Sequence, residues 1–288
     1  MMYYALILAA TLLFGLQFFF NRLYQRNEGS GLPAAMTFAF LTAAVCAAVM
    51  FCLNGFRLSA TPFSLLVAAL CGLNRVLFSV ASVKALGKAD LATFSLFAML
   101  GGMLLPFLCG VLFWQEELTA VKVVCCALIA LALWLGTARG TGNAGAGKYY
   151  GMVFFFNGMS GVLSKLHQAG QEHVSSEGYM LLSSLFAMAA SGFVLLFLVL
   201  RGGRRSLLLS RPARSLPCAA GYALLNGVGN LFLLIALVHV DASVQYPLVT
   251  GGTMVISAVI SALCGEKPGA RRFAAVAVAF AATCVLVL

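Results

Sequence analysis

The chain has 288 residues, of which 62% are hydrophobic and 9% carry a charge. A soluble domain averages about 25% charged residues, so this composition excludes a water-soluble globular protein. It also excludes intrinsic disorder, whose signature is low hydrophobicity. The composition therefore predicts an integral membrane protein.

Ten apolar segments follow one another along the chain, separated by charged or Gly/Pro-rich breaks. Each approaches the roughly 20 residues that a helix needs to cross a bilayer. The period-two alternation of membrane β-strands is absent, so the sequence predicts an all-α integral membrane fold with ten transmembrane helices. No basic stretch precedes the first segment, which we interpret as a retained helix rather than a signal peptide. The segments cover residues 3–20, 33–53, 62–83, 91–113, 120–137, 149–169, 178–200, 216–238, 243–263 and 271–288.

Sequence markers recur in the same order in the two halves of the chain. Each half holds five apolar segments, and an odd number of spans forces the second copy to run through the membrane upside down. Inverted repeats are typical of secondary transporters, which bind substrate near the midplane between the halves. The matched pairs are Gly101-Gly102 with Gly251-Gly252 and Glu116 with Glu266 (offset 150), Asp90 with Asp241 (offset 151), and Tyr3-Tyr4 with Tyr149-Tyr150 and Gly15 with Gly161 (offset 146).

Two stretches resemble a known family. TFSLFAMLGGMLLPFLCGVLFWQEELTAVKVVCCALIALAL (93–133) and GGTMVISAVISALCGEKPGARRFAAVAVAFAATCVLVL (251–288) are similar to the two repeats of the drug/metabolite transporter superfamily, in its EamA-like ten-helix branch. The first stretch has Gln115-Glu116-Glu117 where the family pattern has Gly-Glu. The resemblance implies an EamA-like repeat over 1–140 and another over 141–288. It further implies a multi-pass transporter in the cell (plasma or inner) membrane that moves small metabolites or drugs, commonly outward.

Arg75 is the most expensive polar residue within a predicted span. A central Arg costs roughly 2.5 to 3.5 kcal/mol, and an interface is about 12 Å away, a long reach even for this side chain. Arg75 continues a polar stripe at helical spacing through Cys71, Ser79 and Ser82. The stripe indicates a face directed at a cavity, although a structural Arg bonded to a neighbouring helix remains an alternative.

Other spans carry polar stripes of the same kind. Their alternatives are hydrogen bonds between helices and hydroxyls bonded back to their own helix. Spans five and ten have no such stripe, so we expect them at the lipid-facing periphery. The stripes predict a cavity lined by segments one, three, six, eight and nine, with a substrate-binding set of Gln17, Arg75, Ser79, Asn157, Ser160, Ser164, Lys165, Asn226, Asn230 and Tyr246.

No Asp or Glu lies deep in a predicted span, which argues against obligate antiport of protons and cations. The charges predicted for the cavity, Arg75 and Lys165, are both positive. The expected substrate therefore carries an anionic group, as amino acids and organic anions do. We expect no cofactor, metal or catalytic activity, and we expect a monomer or homodimer with membrane lipid and a small-molecule substrate as its partners.

Three other functions stay open. The first is a multidrug exporter of the same fold, and the second is a channel or scaffold, although no filter-like sequence is visible. The third is an intramembrane serine hydrolase, because Gly158-Met159-Ser160-Gly161 matches a GxSG motif and both His167 and His239 are present. His167 is seven residues from Ser160, about 10 Å along one helix, which is too far for direct proton transfer.

The basic residues are unevenly distributed between the loops. Odd-numbered loops hold fourteen of them and even-numbered loops hold two, Arg57 and Lys122. The positive-inside rule places the odd loops in the cytoplasm and both termini outside, whereas the family resemblance implies cytoplasmic termini. This distribution explains the net charge of +10 without a nucleic-acid partner. We further expect Glu116, Glu266, Asp90 and Asp241 to stabilise helix N-termini and the nine cysteines to be small packing residues.

Overall fold

The computed structural model describes residues 2–88, 90–113, 119–136, 146–202, 209–237, 242–265 and 269–285. These residues form helices and no strands, so the predicted all-α class is confirmed for the described part of the chain. The helices are α1 (Met2–Glu28), α2 (Leu32–Leu53), α3 (Pro62–Leu86), α4 (Leu91–Phe113), α5 (Ala120–Gly136), α6 (Ala146–Ala169), α7 (Ser176–Gly202), α8 (Pro212–Leu237), α9 (Ala242–Leu263) and α10 (Ala270–Val285).

Six of these helices, α1, α2, α3, α4, α7 and α8, are long and apolar enough to cross a membrane. Shorter apolar stretches lie within α5, α9 and α10. The protein is therefore a multi-pass membrane protein by the length and composition of its helices.

The outer surface of the bundle agrees with a lipid environment. Leu66, Leu70 and Leu73 on α3 are about half exposed or more, and so are Phe193 and Leu200 on α7. Apolar area of this extent is rare on a soluble monomer. It suits acyl chains, which solvate such side chains without cost.

Local sequence explains several helix boundaries. Thr61 caps α3 by accepting a hydrogen bond from the Ser64 backbone N–H (3.2 Å), and Pro62 follows at the first helical position, where its missing N–H is not needed. Asp90 accepts from the Thr93 backbone N–H (2.7 Å), which confirms its predicted capping role before α4. Asp241, Glu116 and Glu266, which carry the same prediction, lie outside the described residues.

The helices pack mainly against partners from the other half of the chain. α1 packs along α8 and α9, α6 packs along α3 and α4, and the pairs α2–α7, α4–α9 and α5–α10 are also in contact. The end of α1 touches the end of α3 through Arg22 and the Leu86 carbonyl, while the start of α6 packs near the end of α3 through Tyr150 and Ala85. α1 and α6 therefore run in opposite directions.

Glycines permit close approach at two related helix crossings. A Cβ on Gly15 of α1 would lie 2.3 Å from Ile256 Cγ2 of α9, and one on Gly252 of α9 would lie 2.6 Å from Thr11 Cγ2 of α1. The crossing of α6 with α4 has the same form. There a Cβ on Gly161 would lie 2.6 Å from Pro106 Cγ, and one on Gly102 would lie 2.7 Å from Asn157 Nδ2. Larger residues at these positions would push the helices apart.

Candidate functional site

Arg75 points into the bundle. Its neighbours Leu73 and Leu77 belong to the exposed apolar face of α3, and two helical positions correspond to about 200° of rotation. The guanidinium therefore leaves the helix on the side away from the lipid-facing leucines. It is half-buried, and its Nη1 donates to the hydroxyls of Ser184 (2.7 Å) and Ser183 (3.4 Å) on α7.

Those two serines accept from Arg75 on the side of α7. Each hydroxyl donates its own proton to the Met180 carbonyl, so its lone pairs face Arg75. The charge of Arg75 also interacts with Cys46 of α2 and Tyr222 of α8. No carboxylate pairs with Arg75 among the described residues, whose acidic side chains all lie at helix ends or in loops. They are Glu28, Asp90, Glu172 and Glu177.

A chain of side-chain amides connects α1 to α8. Asn226 donates to Gln17 Oε1 (2.8 Å), and Asn230 donates to the Asn226 carbonyl (2.7 Å). Gln17 is buried, whereas Asn226 and Asn230 are half-buried. Three predicted site residues are thus brought together by the structure. Tyr222 lies one turn before Asn226, so this row and Arg75 lie on adjoining walls of one central region.

Two predicted residues on α6 serve helix packing. Asn157 donates to the Ala98 carbonyl of α4 (2.6 Å). Ser160 donates to the Phe156 carbonyl (3.1 Å) and accepts from Asn74 of α3 (2.8 Å). Asn74 also donates to the Phe156 carbonyl (2.8 Å). These bonds match the alternative of hydrogen bonding between helices, and a substrate-contacting role for Asn157 and Ser160 stays a prediction.

Three further predicted residues have distinct surroundings. Ser79 donates to the Arg75 carbonyl (3.0 Å) and is half-buried on the Arg75 face. Ser164 is half-buried and interacts with Tyr179 of α7, which also interacts with Arg75. Lys165 is half-buried beside them. Tyr246 lies on α9, and its side chain is outside the described part of the structure.

His167 is packed in an aromatic sandwich. It is 1% exposed, its ring stacks on Tyr179 with centroids 4.1 Å apart, and its Nε2 lies 3.0 Å from Ser64 Oγ. Ser64 Oγ also accepts from the Val174 backbone N–H (3.1 Å). The histidine thus binds Ser64 rather than Ser160, and complete burial of both side chains favours a structural role. Sequence reasoning missed this contact because it joins residues 103 positions apart.

Asn21 and Ser82 are among the buried polar residues that have no hydrogen-bond partner in the described part of the structure. Both amide atoms of Asn21 and the hydroxyl of Ser82 lack a hydrogen bond, and both residues are 0% exposed. Asn21 is one turn from Phe18 and from Tyr24, which pack against Ala81 and Val83 respectively. Asn21 and Ser82 therefore lie on facing sides of α1 and α3. Leaving a buried polar atom unpaired costs about 1–3 kcal/mol.

The fold is a known one. Among solved structures, 26 chains match this chain. One of them, described only as a crystal structure of a protein, superposes with a TM-score of 0.57, covers 96% of both chains and is 18% identical. At this identity the likeness shows the fold alone. No family model matches the chain, and no curated protein does.

Proposed function

We propose that the protein is a secondary transporter, most simply an exporter in the cell membrane, that moves small metabolites bearing a carboxylate by alternating access. Amino acids and organic anions are the substrate class. The proposal includes ten spanning helices in two inverted five-helix repeats, as the resemblance to the drug/metabolite transporter superfamily implies. It keeps the expectation that the chain is not an enzyme.

The observation that carries the substrate class is the unpaired charge of Arg75. A guanidinium has five N–H donors, and the protein offers it the hydroxyls of Ser183 and Ser184 and the thiol of Cys46, none of which carries a negative charge. A charge within a membrane-spanning segment is expensive unless it is paired. With no carboxylate on the described part of the protein beside it, a substrate carboxylate is the natural counter-ion, and the planar fork suits its two oxygens.

The helix crossings support the inverted repeats. The sequence offsets relate Gly15 to Gly161 and Thr11 to Asn157 at 146, and Gly252 to Gly102 and Ile256 to Pro106 at 150. The close approaches of α1 with α9 and of α6 with α4 use these same four pairs of positions. Exchanging the two repeats also converts α1–α8 into α6–α3, and it leaves α2–α7, α4–α9 and α5–α10 unchanged. This agreement between sequence offsets and helix contacts supports the proposed repeats.

Alternating access is supported by an asymmetry between the ends of the bundle. We call the end where α1 and α3 finish the basic end, because Arg22, Lys84, Lys88 and Lys148 lie there. α1 packs on α3 at this end. The repeat-related pair, α6 and α8, does not pack at the opposite end within the described residues. This arrangement fits a carrier that is closed at its basic end and open at the other.

A binding experiment on purified protein tests the substrate class. Amino acids and small organic acids are screened by thermal shift, each beside its methyl ester, which lacks the negative charge. We expect acids to bind and esters to bind weakly. Hydrogen bonds to charged groups contribute about 1.5–3 kcal/mol, so Arg75→Gln should weaken acid binding roughly ten- to hundred-fold.

The controls separate charge from folding. Arg75→Lys keeps the charge but loses the fork, so we expect an intermediate affinity. Arg57→Gln removes an exposed charge far from the site and should bind like the wild type. Equal binding of acids and esters by the wild type would refute the carboxylate assignment. Acid binding that persists in a folded Arg75→Gln protein would refute the role of Arg75.

A flux experiment addresses the other functions. In proteoliposomes, uptake of the best-binding acid should saturate and should be accelerated by the same acid inside the vesicle. Flux that does not saturate would indicate a channel, and exchange of cationic drugs instead would indicate a multidrug exporter. A serine hydrolase would react with a fluorophosphonate at Ser160, but the Ser160 hydroxyl proton already goes to the Phe156 carbonyl.

A further inference from the structure

Three lysines converge on one tyrosine ring at the basic end. The Nζ atoms of Lys148, Lys88 and Lys84 lie 5.1, 5.4 and 5.7 Å from the centroid of the Tyr149 ring. Lys84 is in the last turn of α3, Lys88 follows that helix, and Lys148 is in the first turn of α6. We call these four residues the lysine cluster.

The ring alone does not explain this arrangement. An aromatic ring has two faces, so at least two of the three ammonium groups lie over the same face, where they repel each other. A cation–π contact at an exposed site contributes only about 0.5–1 kcal/mol. Lys148 also stands near the positive end of the α6 dipole, where a cation is unfavourable. Among the described residues, each of these three lysines contacts the Tyr149 ring.

The position of the cluster selects the class of anion that would relieve this repulsion. Lys84 directly follows the apolar segment 62–83, and Lys148 directly precedes the apolar segment 149–169. Both therefore stand where a spanning helix leaves the hydrocarbon and enters the headgroup layer. Lys84 and Lys88 are half-buried and Lys148 is exposed, so a ligand can reach them from outside the bundle.

We propose that the lysine cluster binds the phosphate of an anionic phospholipid headgroup in the leaflet at the basic end. The three ammonium groups supply charge-assisted donors to one phosphate, and the lipid's acyl chains lie along the apolar outer face of α3. Basic clusters next to a membrane gain about 1 kcal/mol for each Lys or Arg near an anionic surface. The bound headgroup ties the end of α3 to the start of α6. This site does not depend on the transport function.

Thermal unfolding of the detergent-solubilised protein tests the proposal. Short-chain phosphatidylglycerol, short-chain phosphatidylcholine and inorganic phosphate are added separately over a concentration series. Since a ligand that binds only the folded state raises the midpoint with its concentration, we expect phosphatidylglycerol to raise Tm by several degrees in a saturable way. Phosphatidylcholine should not do so, and NaCl should weaken the effect by screening.

Variants assign the effect to the cluster. Each single Lys→Gln substitution at positions 84, 88 and 148 should reduce the phosphatidylglycerol-dependent Tm rise by about a third or more, and the triple variant should abolish it. Arg57→Gln, at the opposite end, is the control for loss of one charge and should keep the full rise. An unchanged Tm in phosphatidylcholine shows that the triple variant is folded.

Two results would overturn the proposal. If the triple variant keeps the same phosphatidylglycerol effect as the wild type, the lipid binds elsewhere. If inorganic phosphate alone gives the same saturable rise, and the triple variant loses it, the occupant is a free phosphate rather than a lipid. Substrate binding at Arg75 is measured separately, so failure of one proposal leaves the other standing.

Discussion

The two ends of the bundle differ where the proposed repeats would make them alike. At the basic end Phe18 of α1 packs with Leu86 of α3, and Arg22 donates to the Leu86 carbonyl. At the opposite end, the equivalent pair of helices, α6 and α8, does not pack within the described residues. The crossings of α1 with α9 and of α6 with α4 use the same positions in both halves. The two ends therefore differ in helix packing although the crossings agree, and for the proposed carrier this difference predicts that the basic end is the one that opens next.

The largest expected effect comes from preventing that opening. A Cβ on Gly87, after α3, would lie 2.7 Å from Ser30 Cβ, in the loop that joins α1 to α2. A disulfide holds its two Cβ atoms about 3.8 Å apart, so Ser30→Cys with Gly87→Cys needs a displacement of about 1 Å. We expect oxidation of the double variant to abolish substrate exchange in proteoliposomes and reduction to restore it.

Each single cysteine variant, treated with the same oxidant, controls for the nine native thiols. Full exchange by a quantitatively crosslinked protein would mean that the ends of α1 and α3 do not separate. The difference in helix packing between the two ends would then have no role in transport. Because the crosslink lies far from Arg75, substrate binding should persist in the locked protein.

A second test compares how much an added methyl group destabilises the crossing of α4 with α6 and the crossing of α1 with α9. A Cβ on Gly101 would lie 2.1 Å from the Phe154 carbonyl oxygen, which is backbone and cannot turn aside. A Cβ on Gly15 meets the side chain of Ile256 rather than backbone. Overpacking costs about 1–3 kcal/mol, so Gly101→Ala should lower the stability by about 3 kcal/mol and Gly15→Ala by about 1 kcal/mol.

Gly151→Ala is the matched control for these variants, because nothing lies within 4 Å of its Cβ position. It should be neutral or slightly stabilising, since Ala favours the helix over Gly by up to about 1 kcal/mol. Equilibrium unfolding in mixed detergent measures all three. If Gly101→Ala were as stable as Gly151→Ala, the close crossing of α4 and α6 would be wrong.

A third test contrasts the polar residues at the two ends. Asn21 and His167 are 146 residues apart, and both are fully buried, yet only His167 has a hydrogen-bond partner. Asn21→Leu removes unpaired polar atoms and should stabilise the closed basic end by about 1–2 kcal/mol. His167→Leu loses the contact with Ser64 and should destabilise by about 1–2 kcal/mol.

The same substitutions should separate stability from transport. A more stable basic end opens less often, so Asn21→Leu should bind substrate normally but exchange it more slowly. Thermal unfolding and exchange rate, measured on one preparation, give both quantities. If Asn21→Leu were less stable than the wild type, the Asn21 amide would have to be hydrogen-bonded in the folded protein. It would then not weaken the packing of the basic end.

The sequence predicted the helices well, and it named several polar residues that the structure brings together, whose role in substrate binding stays a prediction. Nine of the ten apolar segments agree with the helices within about four residues at each end, because the cost of burying polar backbone in lipid leaves little freedom. α1 continues eight residues beyond the predicted end at residue 20. Arg75, Gln17, Asn226 and Asn230 were predicted from stripes, which depend only on local periodicity. Ser183 and Ser184 were missed, since serines in an apolar helix often bond only to their own carbonyls. Recognising them requires the contact with Arg75, 108 and 109 residues away.

The smallest expected effect concerns Glu28, which links the end of α1 to the start of α8 at the basic end. Glu28 at the end of α1 accepts hydrogen bonds from the backbone N–H groups of Ser210 (2.6 Å) and Arg211 (3.0 Å) and from the Ser215 hydroxyl. It thus caps the start of α8 from another helix. Replacing a cap costs about 0.5–2 kcal/mol, and Glu28→Gln keeps one acceptor oxygen, so we expect a loss of about 0.5–1 kcal/mol.

The repeat-related position carries Val174, whose backbone N–H donates to Ser64, while Ser64 corresponds to Ser215 at an offset of 151. The basic end thus uses a carboxylate where the other end uses a backbone amide. A charge is screened by salt and an amide is not, so rising NaCl should lessen the difference between Glu28→Gln and the wild type. Glu172→Gln, in the exposed loop after α6, should have no effect on unfolding at any salt concentration. If the stability lost in Glu28→Gln did not depend on salt, hydrogen-bond geometry rather than the charge of Glu28 would account for the contact. The two ends would then not differ in how charge contributes to their stability.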